Sequence, residues 1–147
     1  MAISDVQKLR EMTGAGVMEC KRALDEAGGN FDEAVKIIAA KGLANAEKRS
    51  GRTTGAGLIQ AYVHNERVGA LVEIRSETDF VAHSDPFREL AKNLAMQIAA
   101  MAPDDLESLM KEPFIKDASK TIKDLVSEVI AKVGENVQVG KFYRIEI

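Results

Sequence analysis

Apolar residues recur three and four positions apart at both ends of this chain, and every second position in its middle. In the first segment Val6, Leu9 and Met12 fall on one helical face, and Ser4 with Gln7 three residues on has the form of a capping box. Gly14-Ala15-Gly16 breaks the pattern and turns the chain. The pattern resumes from about Val17 with Cys20, Ala23, Leu24 and Ala27 and stops at Gly28-Gly29. Asn30 and Glu33 then mark another helix start, with Phe31, Ala34, Val35 and Ile38 at helical spacing and Gly42 as the stop. The spacing predicts a three-helix bundle over residues 1–42, close to the lower size limit for independent folding. Residues 43–54 are polar and basic, with Lys48, Arg49 and Arg52, and read as a partly helical linker to a domain spanning 55–147.

Alternation takes over in that second domain. Residues 57–63 and 68–74 are β-rich, and His64-Asn65-Glu66-Arg67 between them is of hairpin length. Val68, Ala70, Val72 and Ile74 share a core face. Leu58, Tyr62 and Leu71 are expected among Gln60, Glu73 and Arg75 on a mixed opposite face, a candidate contact surface. Asp85 as N-cap with Pro86 at the first helical position starts a helix whose stripe is Phe87, Leu90, Ala91, Leu94, Ala95 and Ile98, closed by Pro103. A second helix is predicted from about Ser119 to Val133, ended by Gly134, and residues 137–147 read as a third strand. The fold class is therefore α+β: a helical bundle followed by a three-stranded antiparallel sheet with two helices packed on one face.

One stretch resists this scheme. Ser76-Glu77-Thr78-Asp79-Phe80-Val81-Ala82 sets an acid and a large aromatic at the junction between a strand and a capped helix. From the residues alone two readings stay open: Phe80 and Val81 fold back onto the local core, or Phe80 is a wedge presented to a partner.

Composition narrows the function. Of the 147 residues 46% are hydrophobic and 29% charged, and the net charge is −3, which argues against a protein that holds nucleic acid through its overall field. Lys48, Arg49 and Arg52 lack interleaved aromatics for stacking. The single cysteine leaves no intramolecular disulfide or CxxC site and fits a reducing compartment. With no basic-then-apolar leader and no membrane-length apolar run, the expectation is a cytoplasmic protein without membrane or nucleic-acid partners.

Chemistry for catalysis is sparse. Gly14-Ala15-Gly16 and Gly55-Ala56-Gly57 are too short for a dinucleotide fingerprint, and His64 and His83 have no metal-ligand spacing. Lys21 and Arg22 beside Cys20 could lower its thiol pKa, but its helical phase points to packing. Asp79 and His83, four apart, could form an acid–base pair, yet nothing else converges on them. No catalytic residue, metal site or cofactor is expected.

Thr13-Gly14-Ala15-Gly16-Val17-Met18-Glu19-Cys20-Lys21-Arg22-Ala23-Leu24, the run Thr78-Asp79-Phe80-Val81, Phe114-Ile115-Lys116-Asp117 and Lys132-Val133-Gly134-Glu135-Asn136 together resemble the translation elongation factor Ts family. That family comprises guanine-nucleotide exchange factors of elongation factor Tu. The resemblance implies that the bundle is of the ubiquitin-associated type and docks on the GTPase's nucleotide-binding domain through Arg10, Val17, Met18 and Lys21. Val17 and Met18 as helix-start core residues is the alternative. It further implies that Thr78, Asp79, Phe80 and Val81 form a magnesium-displacing element inserted near the nucleotide site. Only Asp104 to Glu112 separate Pro103 from Pro113, where larger members carry a duplicated core half and a helical protrusion, so the chain resembles a compact, single-core form. Such a form is open to pairing two cores as a homodimer through the sheet face. The competing functions are a general protein-interaction module built on the bundle and a small nucleic-acid-binding protein.

Overall fold

In a computed structural model the structure describes residues 3–147. Three helices come first: α1 (Ile3–Thr13), α2 (Val17–Glu26) and α3 (Phe31–Arg49). They close over a small core of Leu9, Ala15, Cys20, Ala23, Leu24, Ala34 and Ile38. Ser4 lies inside α1 rather than ahead of it. Asn30 does cap α3, its side chain accepting from the Glu33 amide at 3.1 Å.

Gly42 does not end α3, which runs seven residues further, to Arg49. A glycine inside a helix costs about 1 kcal/mol, and Ala39, Ala40, Lys41, Leu43, Ala44 and Ala46 around it are helix formers that outweigh one such penalty. The extension is also packed: α3 lies against a later helix, and Ala46 reaches the larger core.

The second part is built on an antiparallel sheet of β1 (Ala56–His64), β2 (Val68–Ser76) and β5 (Val137–Glu146), with β2 in the centre. The β1–β2 turn is tight, with Arg67 N donating to His64 O at 3.0 Å and both Asn65 and Glu66 at positive φ. That left-handed pair matches the twist of the strands it joins. The register sets Leu58 opposite Ile74 and Tyr62 opposite Ala70. Leu58 and Tyr62 therefore belong to the core face, which corrects their expected place beside Leu71. The open face carries Leu71 with Ile59, Val63, Tyr143 and Ile145 instead. Alternation within a strand says which residues share a face, but only pairing with its neighbour says which face that is, and Leu58 opposite Ile74 puts that set on the core side.

Helix α5 (Asp85–Met101) covers the core face with Phe87, Leu90, Ala91, Leu94, Ala95 and Ile98 all buried. Its N-cap is Ser84, not Asp85, and it stops at Ala102 in the left-handed region, just before Pro103. Helix α7 (Ile122–Val133) packs Ile122, Val126 and Ile130 into the same core. It begins three residues later than Ser119 because Thr121 and Asp124 form a reciprocal capping box.

Between α5 and α7 the chain makes two elements that the periodicity did not resolve. They are α6 (Leu106–Lys111) and a small hairpin of β3 (Pro113–Phe114) with β4 (Asp117–Thr121). Leu109 and Phe114 pin them to the core. Buried Gln97 holds the hairpin, its Oε1 accepting from Ile115 N at 2.9 Å and its Nε2 donating to Pro113 O at 3.1 Å. The bundle sits on α7: at Gly14, φ 70°, a Cβ would meet Lys132 Cε at 2.9 Å. Arg49 Nη1 donates to Ile130 O at 3.4 Å, near the end of that helix.

Candidate functional site

The strand-to-helix junction is a tight, capped turn. Ser76 ends β2 fully buried, and its hydroxyl donates to Thr78 O at 2.9 Å. Thr78 takes extended backbone and caps a single helical turn, α4 (Asp79–Ala82), its Oγ1 accepting from Val81 N at 3.4 Å. The two inner positions of that turn go to Val81 and Ala82, both buried in the main core. Asp79 and Phe80 are left pointing outward, and Phe80 is 88% exposed. Of the two readings of Phe80, the folded-back one is not what forms; of Phe80 and Val81 only the valine turns inward.

His83 closes the turn. Its Nδ1 lies 2.7 Å from the backbone carbonyl of Asp79, so the ring is spent on the main chain and makes no acid–base pair with the carboxylate. Serine 84 adds a bond from its hydroxyl to Val81 O at 2.6 Å.

A second loop grips this one. Gly134 ends α7 at φ 74° and swings Glu135 and Asn136 across to the junction. Glu135 accepts from Thr78 N at 3.0 Å and from the Thr78 hydroxyl at 2.8 Å. In return Glu77 accepts from Asn136 N at 2.8 Å. Asn136, 2% exposed, donates its amide to Arg52 O at 2.9 Å and Ser50 O at 3.4 Å. The sequence marks Gly134 as the end of the helix but carries Glu135 and Asn136 only as part of a family likeness, with no role. The available signal was a polar pair placed directly behind a helix-ending glycine.

The other expected contact residues lie on the bundle. Arg10 is in the last turn of α1, and Val17, Met18 and Lys21 are on the outer side of α2, whose inner side is taken by Cys20, Ala23 and Leu24. All four are exposed, Met18 to 59%. Two of the three linker cations are engaged inside the chain, Arg49 on Ile130 O and Arg52 at 3.6 Å from Glu77.

Perturbed titrations do not gather at any cleft. Burial pushes the Cys20 thiol up, against the lowering by the Thr13 hydroxyl. The Arg75 guanidinium, bonded at 2.9 Å, holds the Glu73 carboxyl below its usual range. Bonds from Ser108 and Ser119 do the same for Asp105 and Asp117. Among the described residues no group of three His, Cys, Asp or Glu side chains could hold a metal ion. Among them also, no helix is long and apolar enough to cross a membrane. What the arrangement offers is recognition: a projecting aromatic on a braced turn, and an exposed patch on a helical bundle.

Comparison with known proteins bears on what is recognised. The family model described as Elongation factor TS matches residues 77–147. Elongation factor Ts of Thermotoga petrophila is 43% identical over 186 positions, covering 97% of this chain and 94% of that protein. Elongation factor Ts of Moorella thermoacetica is 37% identical, covering 100% of this chain and 95% of that protein. The chloroplastic polyprotein of EF-Ts of Oryza sativa subsp. japonica is 40% identical over 95% of this chain and 16% of its own length. Alignments of 186 positions exceed the 147 residues here, so the Thermotoga protein carries residues with no counterpart in this chain.

Proposed function

Because this chain belongs to the elongation factor Ts family, a family of exchange factors rather than enzymes, we propose that it binds elongation factor Tu and promotes GDP release by displacing Mg²⁺. Phe80, projecting bare from a capped turn, carries that reading. An exposed phenylalanine gains about 1.5–3 kcal/mol when a partner buries it, and insertion between helices is what would supply that burial.

The GTPase's Mg²⁺ bridges phosphate oxygens and protein ligands and tolerates little departure from octahedral geometry. A wedge of Asp79 and Phe80, with Thr78 capping the turn and Val81 anchoring it, shifts helices that carry those ligands and weakens the ion and then the nucleotide. Exchange factor and nucleotide oppose one another through a single coupling free energy, so each weakens the other equally. The factor engages the GDP-bound form, holds the nucleotide-free one, and leaves when a nucleotide returns.

Arg10, Val17, Met18 and Lys21 supply the docking patch, with residues 1–42 as the docking module, 43–54 as its connection and 55–147 as the core that bears the wedge. Two cores pair through the open sheet face, where Ile59, Val63, Leu71, Tyr143 and Ile145 are exposed together. The place of action is the cytoplasm, with the translation apparatus.

Stopped-flow release of a fluorescent GDP analogue from elongation factor Tu tests the reading. Wild-type chain accelerates release; Phe80→Ala loses most of that acceleration, and chelating Mg²⁺ beforehand closes the gap between them. Equal rates for the two proteins in Mg²⁺ would remove the wedge, and a gap that survives chelation would remove the Mg²⁺ step.

A further inference from the structure

We propose that Glu135 is a positioning residue for exchange, acting through the Thr78 hydroxyl to fix the direction in which Phe80 projects; this rests on the exchange-factor reading above. Phe80 is 88% exposed, so its own contacts hold it in no particular direction. Its aim is set by the backbone of α4, a single turn too short to persist by itself.

Besides the bonds of Ser76, His83 and Ser84 to its backbone, the turn is held from beneath and at its start. Val81 and Ala82 anchor it from beneath. The Thr78 cap holds its start, and here one hydroxyl makes two bonds of opposite sense: it donates to Glu135 Oε2 at 2.8 Å and accepts from Val81 N at 3.4 Å. Donation to the carboxylate fixes the rotor and turns a lone pair toward the Val81 amide. The other carboxylate oxygen takes Thr78 N at 3.0 Å, so both donors of the capping residue converge on one side chain. Hydrogen bonds to an ionised acceptor are roughly twice as strong as neutral ones.

Glu135 is itself held from both sides. Gly134 gives the sharp exit from α7, and buried Asn136 is fastened to Glu77, Ser50 and Arg52. The two loops thus cross, each offering a carboxylate to the other: Glu77 to the backbone of Asn136, Glu135 to Thr78. Removing Glu135 leaves the core and the bundle patch untouched and frees only the turn that aims the wedge.

The test compares full chains carrying Glu135→Ala, Thr78→Val, Thr78→Ser, Phe80→Ala or no change in GDP release from elongation factor Tu over a range of factor concentration. Glu135→Ala and Thr78→Val lower the maximal release rate roughly tenfold, with the half-saturating concentration unchanged, because docking through the bundle remains. Thr78→Ser, which keeps the hydroxyl, restores the wild-type ceiling. Loss of folded molecules would do the opposite, raising the half-saturating concentration beneath an unchanged ceiling. The chain contains no tryptophan, so Phe80→Trp adds a sole indole whose fluorescence anisotropy falls when Glu135→Ala is combined with it.

A wild-type ceiling for Glu135→Ala beside a defective Phe80→Ala overturns the positioning role alone, as does an unchanged anisotropy. A fully active Phe80→Ala overturns the reading beneath it as well. Should Glu135→Ala fail to fold, the Thr78→Val and Thr78→Ser pair decides by the same ceilings.

Discussion

Phe80 and Val81 are neighbours in one helical turn, and truncating each to alanine should produce opposite phenotypes. Phe80 is 88% exposed and Val81 5% exposed. Full burial of a phenylalanine is worth about 1.5–3 kcal/mol; with only the remaining eighth of Phe80 covered, Phe80→Ala costs roughly 0.2–0.4 kcal/mol of stability on that scale. Val81→Ala removes two buried carbons at about 0.8 kcal/mol each and leaves a small cavity, for a total of about 2 kcal/mol. For a chain of this size that is a fall in Tm of about 4–8 °C. Exchange should rank the pair the other way. If the partner buries Phe80 in the transition state for GDP release, losing about 3 kcal/mol there slows stimulated release roughly 100-fold. Urea unfolding and stopped-flow GDP release on the same preparations measure both axes. A Phe80→Ala protein destabilised as much as Val81→Ala would show that the phenylalanine packs in the free fold, and the reasoning would fail at its first step.

Four other outcomes follow from the same structure. Gly42→Ala should stabilise the chain by about 1 kcal/mol, since the position is helical and, beyond its chain neighbours and the backbone of its own helix, nothing lies within 4 Å of where its Cβ would stand; urea midpoints check this, and destabilisation would place the helix end back at Gly42. Under the proposed pairing of two cores, Leu71→Glu with Tyr143→Lys should leave the fold intact and lower the mass seen by light scattering from dimer to monomer; identical masses for variant and wild type would count against pairing through that face. Arg10→Glu and Lys21→Glu should each raise the half-saturating concentration up to about fivefold, the more so at low salt, with no change in the maximal release rate. The raised thiol of Cys20 contributes stability that is full below the unfolded value of about 8.5 and is lost as pH climbs through the higher folded one. Cys20→Ala should therefore abolish that alkaline decline in unfolding free energy.

Legibility in the sequence followed the strength of the local pattern. The stripe from Phe87 to Ile98 was readable because every member is buried and the spacing is unbroken. The turn at Asn65-Glu66 was readable for another reason, a polar break of hairpin length between two β-rich runs. Gly42 misled, since a glycine is a helix stop only where the residues beyond it cannot pack, and Ala46 does. Leu58 and Tyr62 were assigned to the wrong face because sheet faces depend on register, which is fixed by pairing with β2 and not by composition. Leu106–Lys111 and the hairpin after it were silent: both are too short to show a period, and the hairpin is held by Gln97 from another helix. At the candidate site Thr78, Asp79, Phe80 and Val81 stood out as an acid and an aromatic at a strand-to-helix junction and family likeness supplied their expected role, while outward projection came from what lies beneath the turn. The Glu135–Thr78 contact spans 57 residues of chain and had no local signature at all.

The unbroken passage of α3 through Gly42 has a consequence for association. Its far end is tied by Arg49 to Ile130 and, one residue on, by Asn136 to Ser50, so no slack segment separates the bundle patch from the core that bears Phe80. Two contacts joined by a floppy tether must search for the second after making the first, and the search lowers their joint affinity. Here a GTPase held by the bundle would meet the wedge at a separation already set, and the second contact would be made at an effective concentration that the helix, rather than a tether, determines.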